Sequence, residues 1–466
     1  MGPSLDSETD MGSDPVSSDN GWQFWIDRGG TFTDVVAANP AGRISALKLL
    51  SENPERYTDA AAYGIRRILS ESKNEGGVTA VKMGTTVATN ALLERRGAAT
   101  ALVVTQGFRD ALRIGYQNRP DIFVLAIELP EMLYDRVVEA RERVSAQGDV
   151  IEDLDESQLR EDLLAARNCG IESVAIVFLH GYRYPDHERR AARVAREVGL
   201  SQISISHEVS PLMKFVSRGD TTLVDAYLSP VIDRYIGQLQ SELQDLLTST
   251  PLLLMQSHGG LARADLFRGK DSILSGPAGG VVGMVETSRP EGSDKLIGFD
   301  MGGTSTDVSL FAGKYERTQD SIVTGVRVTA PMLKIETVAA GGGSILSFES
   351  ARLQVGPESA GALPGPACYR NGGPLTVTDA NVLLGRIQSE FFPKVFGPDG
   401  DSAIDTEIVR QRFEELGRQV AEHTDNDLSA EELAAGFLRI ATENMANAIK
   451  RISVQRGHDV TEFTLA

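Results

Sequence analysis

Cysteine, positive charge and long apolar runs are all scarce in this sequence, and each scarcity excludes a class of protein. Cys169 and Cys368 are the only cysteines among 466 residues, which is too few for a disulfide framework or a cysteine-based zinc site. Lys and Arg number 46 against 65 Asp and Glu, for a net charge of −19, whereas nucleic-acid binding needs clustered basic residues. No stretch approaches the roughly 18 apolar residues of a membrane span. From these three scarcities we expect no nucleic-acid partner, no membrane and a cytoplasmic location.

The length and the order of apolar runs predict an α/β protein of several domains. A domain of ~100–200 residues is usual, so 466 residues suit two to four domains. Residues 1–20 are rich in Ser, Asp and Gly and lack the basic and apolar regions of a signal peptide, so we expect a disordered arm. A junction near residues 206–220 then divides the remainder into an N-terminal lobe, 21–205, and a second lobe, 206–466.

Short apolar runs alternate with segments of helical period from residue 21 onward. The runs predict strands at 22–26, 101–105, 173–179 and 296–299. The periodic segments predict helices at 56–70, 157–168, 188–198, 230–247 and 430–452. Gly and Pro crowd residues 341–373, where we expect a long ordered loop.

The strongest feature is a ten-residue segment that occurs twice. Residues 26–35 read IDRGGTFTDV and residues 299–308 read FDMGGTSTDV, with seven identical positions. Each copy follows an apolar run, so its first Asp lies near a strand end and its Gly-Gly-Thr forms a tight turn. Glycines can adopt φ > 0 and let backbone N–H groups approach an anion without an intervening Cβ. A carboxylate beside a phosphate implies a cation between them, most simply Mg²⁺ with bound waters; the alternative is a pair of ordinary Gly-Gly hairpins.

The two copies resemble the phosphate motifs of the actin-like ATPase superfamily, in which two ribonuclease-H-like lobes close over ATP. From about residue 21 the chain is more closely similar to the hydantoinase A and 5-oxoprolinase family. The similarity lies in both copies of the repeat and in the segments 82–94, 105–110, 206–211, 255–260 and 275–280. The blocks 337–344, 355–361, 364–369 and 376–381 resemble the 5-oxoprolinase branch of that family most.

The resemblance implies an α/β fold of two lobes with a nucleotide cleft between them. It also implies a third, adenosine-binding motif after residues 459–465, and because the sequence stops at Ala466 we expect the second lobe to be truncated. By motif match, the phosphate contacts would come from Gly29, Gly30 and Thr31 in one lobe and from Gly302, Gly303, Thr304 and Ser305 in the other. Asp27 and Asp300 would hold Mg²⁺ through water or orient the nucleophile, and the motif leaves open which does which.

The activity that the resemblance implies is ATP-dependent opening of the 5-oxoproline lactam to L-glutamate. The amide carbonyl would be phosphorylated and then hydrolysed, with ATP, Mg²⁺ and, as a family expectation, K⁺. The expected partners are the lactam, a hydantoinase B-type domain or subunit and further copies of the chain in a homo-oligomer. Three alternatives stay open: N-methylhydantoinase or a nucleotide subunit of an acetone-type carboxylase, a sugar or carboxylate kinase, and a non-enzymatic actin-like nucleotide switch.

Several further residues have a functional and a structural interpretation of comparable weight. In segment 84–94, Thr85, Thr86 and Asn90 either bind a substrate carboxylate near a helix start or simply cap that helix. In segment 275–280, Gly276 and Gly279 either contact nucleotide or form a hinge. His258 follows an apolar run, at a strand end where ligands of α/β proteins gather, or it is a structural donor. The repeat contains four other polar residues, which either act in the site or close the hairpins. They are Thr33, Asp34, Thr306 and Asp307.

Overall fold

The structure is a computed structural model of a mixed α/β protein with several sheets, which confirms the α/β part of the predicted fold class. It describes residues 21–30, 32–53, 56–72, 76–117, 123, 125–126, 131–248, 250–289, 292–323, 325–361, 363–392, 394, 396–397, 402–424 and 427–466. The predicted arm 1–20 and Thr31 lie outside these residues. The described chain forms two compact units: unit 1 runs to Ala278 and includes Thr318–Met332, and unit 2 comprises Gly279–Arg317 and Leu333–Ala466.

Strands and helices alternate along much of the described chain. The strands are β1 Trp22–Arg28, β2 Phe32–Ala38, β3 Ile44–Leu50, β4 Val78–Thr85, β5 Thr100–Thr105, β6 Arg136–Ala140, β7 Arg143–Val144, β8 Val150–Glu152, β9 Ser173–Val177, β10 Gln202–Ile205, β11 Leu252–Met255, β12 Leu261–Arg263, β13 Lys295–Met301, β14 Thr306–Ala312, β15 Arg317–Val323, β16 Val326–Leu333, β17 Ile335–Val338, β18 Ser344–Glu349, β19 Arg352–Ser359 and β20 Thr464–Leu465. The α-helices are α1 Ala60–Glu71, α2 Val87–Leu93, α3 Ala111–Ile114, α4 Glu156–Asn168, α5 Asp186–Val198, α6 Ser206–Val209, α7 Phe215–Glu242, α8 Ser275–Ser288, α9 Val377–Leu383, α10 Thr406–His423 and α11 Ala430–Ile452.

Unit 1 contains two larger sheets, and the first of them carries the first copy of the repeat. Its strand order is β12-β11-β4-β1-β2-β3, in which β1, β2 and β3 form an antiparallel meander and β4 runs parallel to β1. Trp22, Phe24 and Ile26 alternate with less buried residues along β1, as expected for a strand with one face in the core. The second sheet, β10-β9-β5-β6, is parallel throughout, and β5 and β9 are buried along their whole length, which is typical of parallel strands.

Helix α7 was predicted to begin at Pro230, and that prediction is wrong because the helix starts at Phe215 and passes through the proline. The residues before Pro230 are buried nearly all round, so they show no amphipathic period in the sequence. Pro230 cannot donate to the carbonyl of Ala226. The hydroxyl of Ser173 in β9 donates to that carbonyl instead, at 2.6 Å, which satisfies the acceptor that the proline leaves unpaired.

Unit 2 repeats the sheet arrangement of the first meander. Its sheet has the order β17-β14-β13-β20, with β13, β14 and β17 antiparallel in turn and β20 parallel to β13. Strands β13, β14, β17 and β20 therefore correspond to β1, β2, β3 and β4 of unit 1. The internal sequence match thus reflects a repeated supersecondary unit, and Asp300 faces Asp307 across β13 and β14 as Asp27 faces Asp34 across β1 and β2.

A helical core completes unit 2. Helix α11 begins at the predicted residue because Ser429 and Glu432 form a capping box, and it buries Leu433, Phe437 and Ala441. The segment 341–373 was predicted to be a long loop, and it instead contains the antiparallel pair β18 and β19. Most of the Gly and Pro residues lie outside the two strands, although β19 itself contains Gly356 and Pro357, so the density of these residues concealed the strands.

The predicted domain boundary at 205/206 lies within unit 1, between β10 and α6. It stays a prediction about sequence organisation, since a compact unit and a sequence domain need not coincide. Among the described residues, no helix combines the length and apolar character that crossing a membrane requires.

A buried ion pair in unit 1 gives a testable pH dependence. Burial raises the pKa of Asp220 to about 6, against the opposing effect of Arg327, whose Nε donates to its Oδ2 at 2.8 Å. Because the folded pKa exceeds the unfolded value of 3.8, the native state binds the extra proton, and this group's contribution to stability falls as the pH rises from about 4 to 6. Relative to the natural chain, Asp220→Asn should therefore gain up to about 3 kcal/mol of unfolding free energy over that range. Urea denaturation at several pH values measures the difference, and an offset that does not change with pH would contradict it.

Candidate functional site

The first copy of the repeat forms a tight hairpin between β1 and β2. The N–H of Gly29 donates to the carbonyl of Phe32 at 3.0 Å, and Asp27 is exposed close to the end of β1. Gly30 is exposed, and within the described residues its N–H has no partner in the chain. Thr31, a predicted phosphate ligand, lies outside the described residues and stays a prediction. The hairpin therefore presents at least one unused backbone donor near a carboxylate.

Two buried hydroxyl groups form a hydrogen-bonded brace that holds the backbone of the first hairpin. Ser51 donates to the carbonyl of Gly29 at 2.7 Å, and its Oγ lies 2.9 Å from Oγ1 of Thr33. Both hydroxyls are at most 4 % exposed. Sequence reasoning missed Ser51 because it lies outside the motif, just beyond the last residue of β3.

Removal of this brace should destabilise unit 1 measurably. Ser51→Ala leaves the Gly29 carbonyl and the Thr33 hydroxyl without their partner, so the unfolding free energy should fall by about 1–3 kcal/mol. Urea denaturation of Ser51→Ala, Thr33→Val and the double variant would test it. The double variant should cost clearly less than the sum of the two single changes, and strict additivity would show that the two hydroxyls do not act as one brace.

The predicted residue Gly276 does lie beside Asp27. A Cβ on Gly276 would lie 3.4 Å from Oδ1 of Asp27, and a Cβ on Gly84 would lie 3.7 Å from the same oxygen. Ser275 links the two segments, because its Oγ donates to the carbonyl of Thr85 at 2.7 Å and accepts from the N–H of that residue at 3.2 Å. Residue 275 begins α8 itself, so the turn predicted at 275–280 is already the first part of the helix, and Gly279 lies inside it in unit 2.

The residues predicted to bind substrate differ in how accessible they are. Thr85 is 1 % exposed and its Oγ1 accepts from the N–H of Val87 at 3.2 Å, so it holds the turn. Thr86 is the N-cap residue of α2, and its side chain makes no capping bond to that helix; its Oγ1 donates to the carbonyl of Arg28 at 3.2 Å instead. Nδ2 of Asn90 lies 3.4 Å from the position of a Cβ on Gly30. Thr86 and Asn90 therefore flank the first hairpin, whereas Thr85 is buried in the adjoining turn.

His258 has a structural partner of its own. It follows β11 as predicted, and its Nδ1 accepts from the N–H of Gly260 at 3.2 Å. A Cβ on Gly260 would lie 2.5 Å from Cε1 of the ring, so the histidine and the glycine close one turn. This geometry favours the structural interpretation, and substrate binding by His258 stays a prediction.

The second copy of the repeat, in unit 2, is built like the first. Gly302 donates its N–H to the carbonyl of Ser305 at 2.9 Å, and Asp300 is exposed towards the end of β13. Gly303 and Thr304 are exposed, and their N–H groups donate to no other group of the described chain. Consecutive free amides of this kind are suited to the oxygens of an anion.

The reason for glycine in the two hairpins differs from the expected one. None of Gly29, Gly30, Gly302 and Gly303 has a φ in the left-handed region. Space is the constraint at Gly29, where a Cβ would lie 3.0 Å from the carbonyl oxygen of Phe32; at Gly302 a Cβ would lie 3.4 Å from that of Ser305, which is an ordinary van der Waals distance. Gly303 is not crowded, since no atom lies within 4 Å of its Cβ position, which leaves the room around its amide open.

The four remaining polar residues of the repeat bond to the third strand of each meander or to the residues that follow it, and not across the hairpin turn itself. Thr306 donates to the carbonyl of Ala340, Asp307 accepts from the hydroxyl of Thr337 at 2.6 Å, and Asp34 pairs with Lys48. Burial raises the pKa of Asp307 above its ordinary value. Asp27 and Asp300 are exposed towards the ends of their strands, and their role towards a ligand stays a prediction.

Neither unit builds a protein-only metal cage in its described part. No group of three or more His, Cys, Asp or Glu side chains is arranged there to hold an ion. Mg²⁺ that accompanies a nucleotide usually takes one or two carboxylates, with phosphate oxygens and waters as its other ligands. The oxygen donors of Asp27 and Asp300 fit that mode of binding.

Two family models and a curated relative match most of this chain. The family model described as Hydantoinase/oxoprolinase N-terminal region matches residues 23–199, and the one described as Hydantoinase/oxoprolinase matches residues 218–466. A 5-oxoprolinase of Saccharomyces cerevisiae is 43% identical over 94% of this chain, and the chain spans 37% of that protein's length.

Two solved structures resemble the chain along most of its length. The ATP-dependent caprolactamase from Pseudomonas jessenii has a TM-score of 0.77 at 32% identity, over 95% of this chain and 65% of that one. A nucleotide-free acetone carboxylase has a TM-score of 0.78 at 22% identity, over 96% of this chain and 65% of that one. At that lower identity the second likeness concerns the fold alone.

Proposed function

Because the chain belongs to the hydantoinase/oxoprolinase family, we propose that it is the ATP-binding portion of an enzyme that opens the lactam ring of 5-oxoproline to give L-glutamate. The observation that carries the proposal is the repeated hairpin, which in each unit sets at least one unused backbone amide near an exposed carboxylate. Identity of 43% to a 5-oxoprolinase along nearly the whole chain supports the choice of lactam.

The reaction needs ATP because an amide carbonyl is a poor electrophile. Transfer of the γ-phosphoryl group to the carbonyl oxygen forms a P–O bond there and breaks the bond to ADP. Water then adds to the activated carbon, and the ring C–N bond breaks as the nitrogen takes up a proton, which leaves an acyl phosphate. A second water attacks the acyl phosphate and releases phosphate, so that the carboxylate of glutamate is formed. Most of the acceleration in such transfers comes from positioning and from neutralising charge on the transferred group.

Each hairpin would contribute to that positioning through its own backbone. The amides of Gly30 in unit 1 and of Gly303 and Thr304 in unit 2 would donate to phosphate oxygens, and Ser305 would support the second hairpin through its carbonyl. Asp27 and Asp300 would hold Mg²⁺ through water or orient the attacking group. Bound Mg²⁺ would supply charge neutralisation at the phosphate oxygens. Gly276 lies against Asp27 and would fix its carboxylate.

Thr86 and Asn90 are the residues of unit 1 that we propose for contact with the lactam's carboxylate. They flank the first hairpin, and Nδ2 of Asn90 donates to Oγ1 of Thr86 at 3.3 Å, so the two side chains are already oriented with respect to each other. Hydrolysis itself would require a hydantoinase B-type domain or subunit. Activation by K⁺ and assembly into a homo-oligomer are further parts of the proposal.

The likeness to a caprolactamase favours one second candidate, the ATP-dependent opening of a different cyclic amide. The two candidates share the same chemical steps and differ only in the ring that is opened. A hybrid enzyme, with this chain in place of the matching part of the yeast 5-oxoprolinase, distinguishes them. Phosphate release from MgATP should be stimulated by 5-oxoproline and should match glutamate formed one to one. Stimulation only by caprolactam or hydantoins would select the second candidate, and stimulation by none of them would overturn both.

A further inference from the structure

Three consecutive glycines lie directly against the backbone of the second hairpin in unit 2. The N–H of Gly342 donates to the carbonyl of Gly302 at 3.0 Å, and the N–H of Gly343 donates to the carbonyl of Gly303 at 2.6 Å. These bonds take up the carbonyl side of the two peptide units, whose opposite sides carry the free amides of Gly303 and Thr304. The direction in which those amides face is therefore coupled to the position of the triglycine segment.

The contact is too close for any side chain. A Cβ on Gly341 would lie 2.7 Å from the carbonyl carbon of Thr304, and a Cβ on Gly343 would lie 2.8 Å from the carbonyl oxygen of Gly303. Real Cβ atoms essentially never approach this closely, and the atoms in the way belong to the backbone, so no change of rotamer relieves the overlap. A methyl group at either position must displace the hairpin.

The triglycine segment is itself held from its other side. Thr378 donates to the carbonyl of Gly342 through both its N–H, at 2.7 Å, and its Oγ1, at 2.9 Å. Thr378 belongs to α9, which begins at a capping box between Thr376 and Asp379. Asp379 is fully buried and also accepts the N–H of Cys368 at 2.9 Å. A chain of contacts thus runs from a buried carboxylate through Thr378 and the glycines to the hairpin.

The corresponding position in the first hairpin is occupied differently. Ser51 follows β3 there as Ala340 and the glycines follow β17 in the second copy. Ser51 braces the first hairpin with a hydroxyl group, whereas backbone amides brace the second. The difference shows that the triglycine segment is not a general requirement of the repeated fold.

We propose that residues 341–343 form a positioning element that sets the phosphate-binding amides of Gly303 and Thr304, and that Thr378 is the positioning residue that holds this element in place. The inference rests on the proposed binding of ATP phosphates by the second hairpin. It adds that residues outside the second hairpin set the affinity for those phosphates.

Gly343→Ala in the full chain is the primary test, with Gly283→Ala as its control. Gly283 lies in α8 of the same unit, and no atom lies within 4 Å of its Cβ position. Calorimetric titration with the magnesium complex of AMP-PNP, an ATP analogue that is not cleaved, measures the dissociation constant. Loss of one well-aligned bond to a charged phosphate corresponds to about a tenfold change or more, so Gly343→Ala should bind at least about tenfold more weakly, while Gly283→Ala should match the natural chain.

Thr378 supplies a second test that does not depend on a crowded glycine. Thr378→Val removes the hydroxyl donor and keeps the shape of the side chain, whereas Thr378→Ser keeps the donor. The valine variant should weaken nucleotide binding severalfold, and the serine variant should restore it. A merely structural role would instead lower the melting temperature of the valine variant without nucleotide and leave the dissociation constants of the two variants alike.

The outcomes separate this inference from the proposed function. If the natural chain binds the nucleotide and both Gly343→Ala and Thr378→Val bind it equally well, the positioning role is wrong while the proposed function stands. If the natural chain itself binds no nucleotide, the proposed function and the inference fall together. If Gly343→Ala does not fold, the comparison of valine with serine at position 378 decides.

Discussion

Asp300→Asn should lower the phosphate release of the hybrid enzyme by about 100-fold or more, the usual effect of removing a preorganised electrostatic group from a transition state. The substitution keeps the size of the side chain and removes its charge. Asp300 is exposed at the end of β13 and its Cα partner is Asp307, so the loss of charge should change folding little. Stopped assays of phosphate release, with glutamate measured in parallel, give the turnover. The melting temperature without nucleotide should stay within a few degrees.

The same substitution at Asp34 is the matched control for this effect. Asp34 occupies in the first hairpin the place that Asp307 has in the second, and its carboxylate pairs with Lys48 at the surface. A surface pair of this kind contributes at most about 1 kcal/mol, so Asp34→Asn should turn over within about twofold of the parent. Equal activity of Asp300→Asn and Asp34→Asn would remove Asp300 from the mechanism.

Asp27→Asn, tested beside it, would separate the two roles that the sequence leaves open. Loss of Mg²⁺-dependent affinity for AMP-PNP indicates a carboxylate that holds the cation through water. Loss of turnover with unchanged affinity indicates one that orients the attacking group. The two units need not divide these roles evenly, and in unit 1 the Asp27 carboxylate lies close to Gly84 and Gly276.

The repeated hairpin could be predicted from the sequence because its signals are local. An apolar run of alternating burial precedes each copy, and identical residues at matching positions imply identical turns. The predicted strands at 22–26 and 296–299 are therefore confirmed within β1 and β13. The same logic failed for α7, where burial on all sides removes the helical period, and for residues 341–373, where the turn residues obscured a hairpin.

What the sequence could not supply is the set of contacts between distant backbone segments. Nothing local connects Gly342 and Gly343 to the hairpin some forty residues earlier, because a hydrogen bond between main-chain groups leaves no trace in side-chain chemistry. A glycine pattern is the only indication that such a contact can leave. The sequence interpretation of those glycines was a long ordered loop, whereas close approach of two backbones is the physical reason that the structure gives for them.

Gly303→Ala should weaken the binding of magnesium AMP-PNP by about tenfold to 100-fold while leaving the fold intact. No atom lies within 4 Å of the Cβ position of Gly303, and its φ is not in the left-handed region. Alanine can therefore take up the native backbone conformation, and by restricting the unfolded chain it should stabilise it slightly, by about 0.4–1 kcal/mol. The methyl group would enter the open space beside the amides of Gly303 and Thr304, where a phosphate must approach.

A variant that is at least as stable as its parent yet binds nucleotide poorly is informative because instability cannot explain the loss. Gly343→Ala acts on the same amides from behind and should show weaker binding together with a lower melting temperature, since it overlaps the carbonyl of Gly303. Gly303→Ala should show weaker binding alone. If Gly303→Ala bound AMP-PNP as the natural chain does, the open side of the second hairpin would not be the phosphate side, and the role of its amides would have to be given up.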